Sequence, residues 1–262
     1  MVNLLIIIGI DIGSTTSKCV LLKNGKEIVG SALVQAGVGT DGPDEACRIL
    51  FEKSDISEYQ VDYRIATGYG RARWKKADEA ISELSAHALG SYFLFPEART
   101  VIDIGGQDAK VIALNEKGQL QNFVMNDKCA AGTGRFLDVM AGILKIQVSE
   151  LENLAAQSLN PVSISNTCTV FAESEVISQL AAGSSVNDVV AGICVSVAGR
   201  VAALARRVGV KEQVCMSGGV AINGGVRKAM EQILGVKIFC SPFAQMTGAL
   251  GAALYAYHKI KL

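Results

Sequence analysis

The sequence predicts an α/β protein of two related domains, and three observations support this. Half of the 262 residues are hydrophobic, which is enough for a large core. One strand–loop–strand pattern, D-I-G followed by a lysine, occurs once in each half, at 11–18 and at 103–110. Stretches with helical spacing of apolar residues follow each copy. A unit repeated in this way indicates two domains of common architecture.

The N-terminal run LLIIIGIDIG predicts a buried strand. No basic segment precedes it, and Asp11 interrupts it well before the roughly 20 apolar residues that a membrane span requires. We therefore expect neither a signal peptide nor association with a membrane.

The charge balance argues against a nucleic-acid partner, and the cysteine content argues against a disulfide-bonded protein. The 25 Lys and Arg residues balance the 25 Asp and Glu residues, and no basic stripe occurs, so we expect no nucleic-acid partner. The seven cysteines include no C-x-x-C pair, which argues against a disulfide framework and favours the reducing cytoplasm.

Both copies of the repeated unit predict phosphate-binding hairpins. Glycine lets the backbone approach a phosphate closely, and hydroxyl and N–H groups add donors. An aspartate at a strand end can hold a hydrated Mg²⁺ beside the phosphates. The candidate ligands are Asp11, Gly13, Ser14, Thr15, Thr16, Ser17 and Lys18 in the first loop and Asp103, Gly105, Gly106 and Gln107 in the second.

A third glycine-rich turn, MSGGVAIN, follows a short apolar run and precedes a helical pattern. Its Gly218 and Gly219 allow the backbone to lie against a nucleotide. The chain contains no GxxxxGK[ST] loop, and GTGRF lacks the third glycine of a Rossmann fingerprint, so those two nucleotide folds are poor candidates. Gln245 completes the candidate nucleotide-binding residues.

Cys129 and Cys168 each precede a run with helical spacing, in NDKCAAGTGRFLDVM and SNTCTVFAESEVISQL. The N-terminus of a helix favours negative charge, which suits thiolate ligands of a metal site. Two well-separated cysteines are also typical of unrelated core residues. Spacing alone therefore leaves both interpretations open.

The three glycine-rich motifs resemble, in order, the phosphate-1, phosphate-2 and adenosine motifs of the actin, sugar-kinase and chaperone-ATPase superfamily. With its two cysteine segments, the chain from Ile8 onward is more similar to the activator components of 2-hydroxyacyl-CoA dehydratases, relatives of the ATPase subunits of benzoyl-CoA reductases. This resemblance implies two actin-like (ribonuclease H-like) domains with a nucleotide cleft between them. The expected domains are residues 1–97 with 245–262, and residues 98–244.

The resemblance also implies cofactors and partners. ATP or ADP would bind with Mg²⁺, and one 4Fe-4S cluster would bridge a homodimer. A 4Fe-4S cluster usually takes four cysteines, which Cys129 and Cys168 of two subunits supply together. Reduced ferredoxin or flavodoxin would donate an electron. Hinge motion driven by ATP hydrolysis would pass it to an (R)-2-hydroxyacyl-CoA dehydratase, as in anaerobic amino-acid fermentation.

Three alternatives remain open on the sequence: a small-molecule kinase of the same fold, a nucleotide-gated interaction protein whose cysteines belong to the core, and a benzoyl-CoA reductase ATPase subunit. The second loop has Gln107 and Asp108 where the superfamily usually has a small residue, so no hydrolytic base is assigned. We expect structural roles for the remaining cysteines and for the histidines, and we expect Glu173 and Glu175 to be first-turn partners of a helix dipole rather than catalytic groups. These cysteines and histidines are Cys19, Cys47, Cys194, Cys215, Cys240, His87 and His258.

Overall fold

The protein is described by a computed structural model that covers residues 4–165 and 167–261. It divides into two compact units. Unit 1 consists of Met1–Ala98, Leu114–Leu120 and Phe243–Leu262, and unit 2 of Arg99–Ala113 and Gln121–Pro242. Relative to the division expected from the sequence, Leu114–Leu120 is also grouped with unit 1, and the other boundaries lie at 98/99 and 242/243 instead of 97/98 and 244/245.

Ten strands and eight α-helices make up the described part of the chain. The strands are β1 (Ile6–Ile12), β2 (Ser17–Lys23), β3 (Glu27–Val34), β4 (Tyr63–Thr67), β5 (Glu79–Ala80), β6 (Thr100–Ile104), β7 (Ala109–Leu114), β8 (Leu120–Asn126), β9 (Val214–Ser217) and β10 (Ile238–Cys240). The helices are α1 (Gly42–Lys53), α2 (Glu83–Leu94), α3 (Gly134–Leu144), α4 (Leu151–Ala156), α5 (Thr169–Ala181), α6 (Val186–Val208), α7 (Gly224–Leu234) and α8 (Thr247–Ile260).

The two sheets have the same strand order, which confirms the repeat seen in the sequence. The first sheet is β3-β2-β1-β4-β5, and the second, read from the corresponding end, is β8-β7-β6-β9-β10. In each, the first strand of the repeat pairs antiparallel with the second and parallel with a later strand. Both units are therefore mixed α/β sheets that begin with the same hairpin, as in the actin-like fold.

In unit 1, β1 is buried along its whole length, as its unbroken apolar run predicts. The turn between β2 and β3 has Asn24 and Gly25 at φ 52° and 68°, the positive values that a type I′ hairpin requires. Helix α8 covers this sheet so closely that a Cβ on Gly9 would lie 2.0 Å from the Ala249 carbonyl oxygen. Small residues on α8 and β1 therefore set the spacing between helix and sheet.

Helix α6 forms the core of unit 2. By length and composition alone it is apolar enough to cross a membrane, yet 72% of its most apolar window is buried inside the protein, which is the pattern of a core helix. Its N-cap Ser185 accepts a hydrogen bond from the Asp188 amide. The Asp188 carboxylate in turn accepts from Ser158 and from the amides of Leu159 and Asn160, and these bonds lower its pKa to about 2.

Replacing Gly9 with alanine will destabilise unit 1, because the new methyl group overlaps the backbone of α8. We expect a loss of about 3 kcal/mol in the free energy of unfolding, measured by urea denaturation with circular dichroism. Gly142→Ala is the matched control, since a Cβ at Gly142 meets nothing within 4 Å in the exposed interior of α3. That change should stabilise by about 0.5–1 kcal/mol, and equal losses in both variants would contradict the packing described.

Candidate functional site

The first predicted phosphate loop joins β1 to β2. Asp11 and Lys18 are direct partners in the strand register, and the Lys18 Nζ lies 3.2 Å from the Asp11 Oδ2. The loop between them is closed by a hydrogen bond of 2.9 Å from the Gly13 amide to the Thr16 carbonyl oxygen. The strand pairing therefore holds a cation and an anion side by side at the base of a tight loop.

The second loop, between β6 and β7, repeats this geometry. Asp103 and Lys110 are register partners, and the Lys110 Nζ lies 3.0 Å from the Asp103 Oδ2. The Gly105 amide donates to the Asp108 carbonyl oxygen at 2.9 Å, the equivalent of the Gly13 bond. The repeat predicted from D-I-G-x-x-x-x-K is thus a repeat in three dimensions as well.

The two loops differ in how their aspartates are satisfied. Asp103 also accepts a hydrogen bond of 2.8 Å from the Ser217 hydroxyl, and Lys110 makes a second ion pair with Asp108. Asp11 is almost completely buried, and its Oδ1 has no hydrogen-bond partner. A buried carboxylate oxygen without a donor needs another partner, and a hydrated Mg²⁺ is a suitable one because the ion prefers oxygen ligands.

The space around Asp11 is kept open by glycines that the sequence patterns did not single out. A Cβ on Gly68, which has φ +85°, would lie 2.4 Å from the Asp11 Oδ1. A Cβ on Gly248 would lie 3.0 Å from the Asp11 Oδ2, and one on Gly37 would lie 2.3 Å from the Ser14 carbonyl oxygen. Side chains at these positions would fill the space beside the carboxylate and the loop, so this part of unit 1 fits a hydrated cation and phosphate.

The other predicted nucleotide-binding residues occupy several positions in the two units. Thr15 and Gln107 are exposed at the loop tips, and Ser14, Thr16 and Gly106 are partly exposed. The hydroxyl of Ser17 donates to the Ala36 carbonyl oxygen within unit 1. Gln245 lies in a single 3₁₀ turn, Ala244–Met246, just before α8.

The predicted adenosine turn follows β9 in unit 2. Gly218 has φ +86°, and a Cβ there would lie 2.3 Å from the Ile104 carbonyl oxygen at the end of β6. Gly219 begins a 3₁₀ turn, Gly219–Ile222. Since Ser217 donates to Asp103, this turn and the second phosphate loop are joined at one edge of the sheet.

Helix α3 is hydrogen-bonded directly to the second phosphate loop, a contact that sequence reasoning missed. The amide of Gly134 donates to the Gly105 carbonyl oxygen at 2.9 Å, and that of Arg135 to the Gly106 carbonyl oxygen at 2.8 Å. The GTG sequence before the helix indicates a tight turn, but no local sequence pattern predicts which distant carbonyl oxygens will accept hydrogen bonds from the helix N-terminus. A shift of this loop is therefore transmitted directly to α3.

The structure places Cys129 and Cys168 in unit 2, both partly exposed and both free. Cys168 is the N-cap of α5, as predicted. Cys129 lies in the loop between β8 and α3, four residues before the N-cap Thr133, and so precedes the helix by a glycine-containing turn. Thr133 closes this turn, 130–133, with two hydrogen bonds to the Ala130 carbonyl oxygen.

Comparison with known proteins gives this geometry a context. The model of the BadF/BadG/BcrA/BcrD ATPase family matches residues 8–256. The chain belongs to this family.

Relatives within the family are similar over nearly their full length. The (R)-2-hydroxyglutaryl-CoA dehydratase activating ATPase of Acidaminococcus fermentans is 57% identical, over 96% of this chain and 97% of that protein. The 2-hydroxyisocaproyl-CoA dehydratase activator of Clostridioides difficile is 54% identical, over 97% and 95%. The solved structure of the Clostridium difficile activator with bound ADPNP has a TM-score of 0.95 at 53% identity and covers 98% of this chain and 96% of its own.

These similarities establish the chain as an ATP-binding ATPase of the BadF/BadG/BcrA/BcrD family with an actin-like fold. They do not favour the small-molecule kinase, the nucleotide-gated interaction protein or the benzoyl-CoA reductase subunit. The motifs and the cysteine segments had predicted this family.

The remaining cysteines have the environments of packed residues. Cys19, Cys194 and Cys215 are buried in β2, α6 and β9. A side-chain hydrogen bond with Cys47, which lies on α1, and burial raise the pKa of Cys19 far above its usual value. Burial raises the pKa of Cys194 to about 12. Burial also raises the pKa of Cys240 on β10, although Arg227 opposes the shift.

The positions of the acidic residues in α5 differ from the prediction. The first turn of α5 contains no acidic residue, so the expectation that Glu173 and Glu175 are first-turn dipole partners is wrong. The helix begins at Thr169, and Glu175 instead accepts a hydrogen bond of 2.5 Å from the Ser165 amide. His87 is buried in α2, and His258 is exposed near the end of α8.

Lys110→Met should destabilise the protein more than Lys18→Met. Lys110 is 2% exposed and pairs with two carboxylates, whereas Lys18 is 15% exposed and pairs with one. Removing one partner of a buried pair leaves an uncompensated charge, so we expect a loss of about 3–5 kcal/mol for Lys110→Met in urea denaturation. Adding Asp103→Asn should recover part of this loss. Equal effects of the two lysine substitutions would show that the second hairpin is no more dependent on its ion pairs than the first.

Proposed function

We propose that this protein is the ATP-driven activator of a 2-hydroxyacyl-CoA dehydratase and delivers a single electron to that partner. The observation that carries the proposal is the combination of a duplicated Asp–Lys hairpin with two free cysteines that flank helices of the same unit. More than half of its residues are identical to those of proteins named as dehydratase activators. The acyl-CoA chemistry belongs to the partner.

In the proposed ATP site, the loop backbone amides and the hydroxyls of Ser14, Thr15 and Thr16 donate to phosphate oxygens. Asp11 holds a hydrated Mg²⁺ through the oxygen that has no protein partner. Lys18 and Lys110 neutralise the carboxylates of Asp11 and Asp103 at the bases of the two hairpins. The turn at Gly218 and Gly219 lies against the nucleoside, and Gln107 and Gln245 are further candidates for contact.

For the proposed metal site, the donor set fits a 4Fe-4S cluster shared by two copies. Cys129 and Cys168 are free and partly exposed in each chain, and four cysteines are the usual ligand set. Cys168 at the N-cap of α5 is well suited to an anionic group, because a helix N-terminus favours negative charge. When bound, the cluster supplies one-electron redox chemistry. A two-fold homodimer follows from this assignment.

The link between ATP and the thiols is the pair of hydrogen bonds from Gly134 and Arg135 to the second phosphate loop. Release of the γ-phosphate removes an anion from that loop, so its differential interaction with the two nucleotide states is lost. Because α3 is bonded to the loop and directly follows the Cys129 segment, the change reaches one proposed ligand without an intervening element. Hydrolysis would thus alter the surface that the dehydratase contacts.

The electron donor and the location follow from the same chemistry. A low-potential cluster needs a small reduced carrier, and ferredoxin or flavodoxin is the class that fits. We place the protein in the cytoplasm, where its free thiols stay reduced. The substrate of the partner is an (R)-2-hydroxyacyl-CoA.

Asp11→Asn should lower ATPase activity about 10–100-fold, the usual effect of disturbing the surroundings of a bound metal. The loss should be accompanied by a higher requirement for Mg²⁺ in a steady-state phosphate-release assay. Asp55→Asn, at an exposed position of the same unit, is the matched control and should leave the rate unchanged. Wild-type turnover and wild-type Mg²⁺ dependence in Asp11→Asn would remove this carboxylate from the ATP site.

Protein purified without oxygen should contain about two iron and two sulfide ions per chain in a dimer, the share of one 4Fe-4S cluster. Cys129→Ser and Cys168→Ser should each lose the iron and the visible absorption while retaining ATP binding. Cys47→Ala, also partly exposed, should keep both. A cluster-free cysteine variant that still activates the dehydratase would rule out electron transfer through these thiols.

A further inference from the structure

Three buried side-chain atoms in the described residues have no hydrogen-bond partner, and their chemistry separates them into two groups. One is the acceptor Oδ1 of Asp11 at the phosphate-1 hairpin. The other two are donors, the Oγ1 of Thr169 and the Nε of Arg200, and both lie in unit 2 beside the cysteine segments. Buried polar groups without partners are rare in native proteins, so each requires an explanation.

Building on the proposed function, we propose that Arg200 and Thr169 are positioning residues that donate hydrogen bonds to the sulfur atoms of the bound cluster and raise its reduction potential. No pattern in the sequence selects either residue, and both would act on the cluster already proposed.

Arg200 lies against the Cys129 segment. A Cβ on Gly132, which has φ +84°, would be 2.7 Å from the Arg200 Cγ and 3.1 Å from its Cβ, so the stem of the arginine packs on this glycine. Gly132 is three residues after Cys129, in the turn that separates the thiol from α3. The guanidinium is therefore carried by a stem that is fixed against the ligand segment.

The guanidinium of Arg200 also differs from others in the chain. Arg48 pairs with Glu45 and Glu52, and Arg206 donates to the Ile233 carbonyl oxygen. Within residues 4–165 and 167–261, the Nε of Arg200 is buried and has no hydrogen-bond partner, although the residue as a whole is partly exposed. Because arginine does not lose its proton in proteins, this position carries a permanent positive charge with one free, buried donor.

Thr169 supplies the second donor at the other cysteine. It is the first residue of α5 and directly follows the N-cap Cys168. Its hydroxyl is buried without an acceptor, although a threonine in a helix often donates to a carbonyl of the preceding turn. One unsatisfied donor thus accompanies each of the two proposed ligands.

Sulfur atoms of a cluster accept hydrogen bonds, and both hydrogen bonds and nearby positive charge tune its reduction potential. An added electron increases the negative charge of the cluster. A fixed guanidinium and a hydroxyl donor therefore stabilise the reduced form relative to the oxidised form. Their loss should make the cluster harder to reduce without removing a ligand.

The test is a redox titration of anaerobically purified dimer, followed by electron paramagnetic resonance, on four variants. Arg200→Met removes the charge and the donors at similar length, and Arg200→Lys keeps the charge and an ammonium donor but loses the Nε donor and the planar guanidinium. Thr169→Val removes the hydroxyl at constant shape, and Thr169→Ser retains it. Arg207→Met, at an exposed position of the same helix, controls for the loss of one positive charge.

We expect Arg200→Met to shift the reduction equilibrium about tenfold toward the oxidised form, equivalent to about 59 mV for one electron. Thr169→Val should shift it in the same direction, Arg200→Lys less than Arg200→Met, and Thr169→Ser and Arg207→Met not at all. Iron content should remain at the wild-type level in every variant. Unchanged potentials in Arg200→Met and Thr169→Val with full iron content would overturn this inference alone, whereas absence of iron from the wild-type dimer would overturn the proposed function with it.

Discussion

Each unit of the protein depends on one ion pair that bridges the first two strands of its sheet. Asp11 and Asp103 end their strands in direct register with Lys18 and Lys110. The antiparallel ladder fixes each lysine opposite its aspartate. A backbone hydrogen bond then closes the tight loop beyond each pair, from Gly13 to Thr16 and from Gly105 to Asp108. Burying these charges is costly unless they remain paired, so the pair constrains the loop, and the loop constrains everything that can bind to it.

The two hairpins share this ion pair but differ in its polar neighbours. In the second hairpin, Ser217 donates to Asp103, and Asp108 forms a second ion pair with Lys110. In the first hairpin, one oxygen of Asp11 is left without a hydrogen-bond partner. The first copy therefore offers a carboxylate oxygen to a ligand, whereas the aspartate of the second is held by protein groups.

Much of this was predictable because it is local. The D-I-G-x-x-x-x-K repeat predicted both hairpins, and Asn24-Gly25 predicted the turn that follows the first. Contacts between distant segments were not predictable, since no short pattern records that Gly68 and Gly248 would border Asp11. The apolar pattern of α3 is likewise visible in the sequence, but the hydrogen-bonded turn that separates Cys129 from its first residue is not.

The loop that contains Cys129 is held in shape by its own hydrogen bonds. The side-chain amide of Asn126, the last residue of β8, donates to the carbonyl oxygens of Cys129 at 2.8 Å and Ala131 at 3.1 Å. These bonds fix the shape of the loop before any ligand arrives. A segment that is already ordered loses little conformational entropy on binding. The Cys129 loop would therefore take up the proposed cluster with little rearrangement of its backbone.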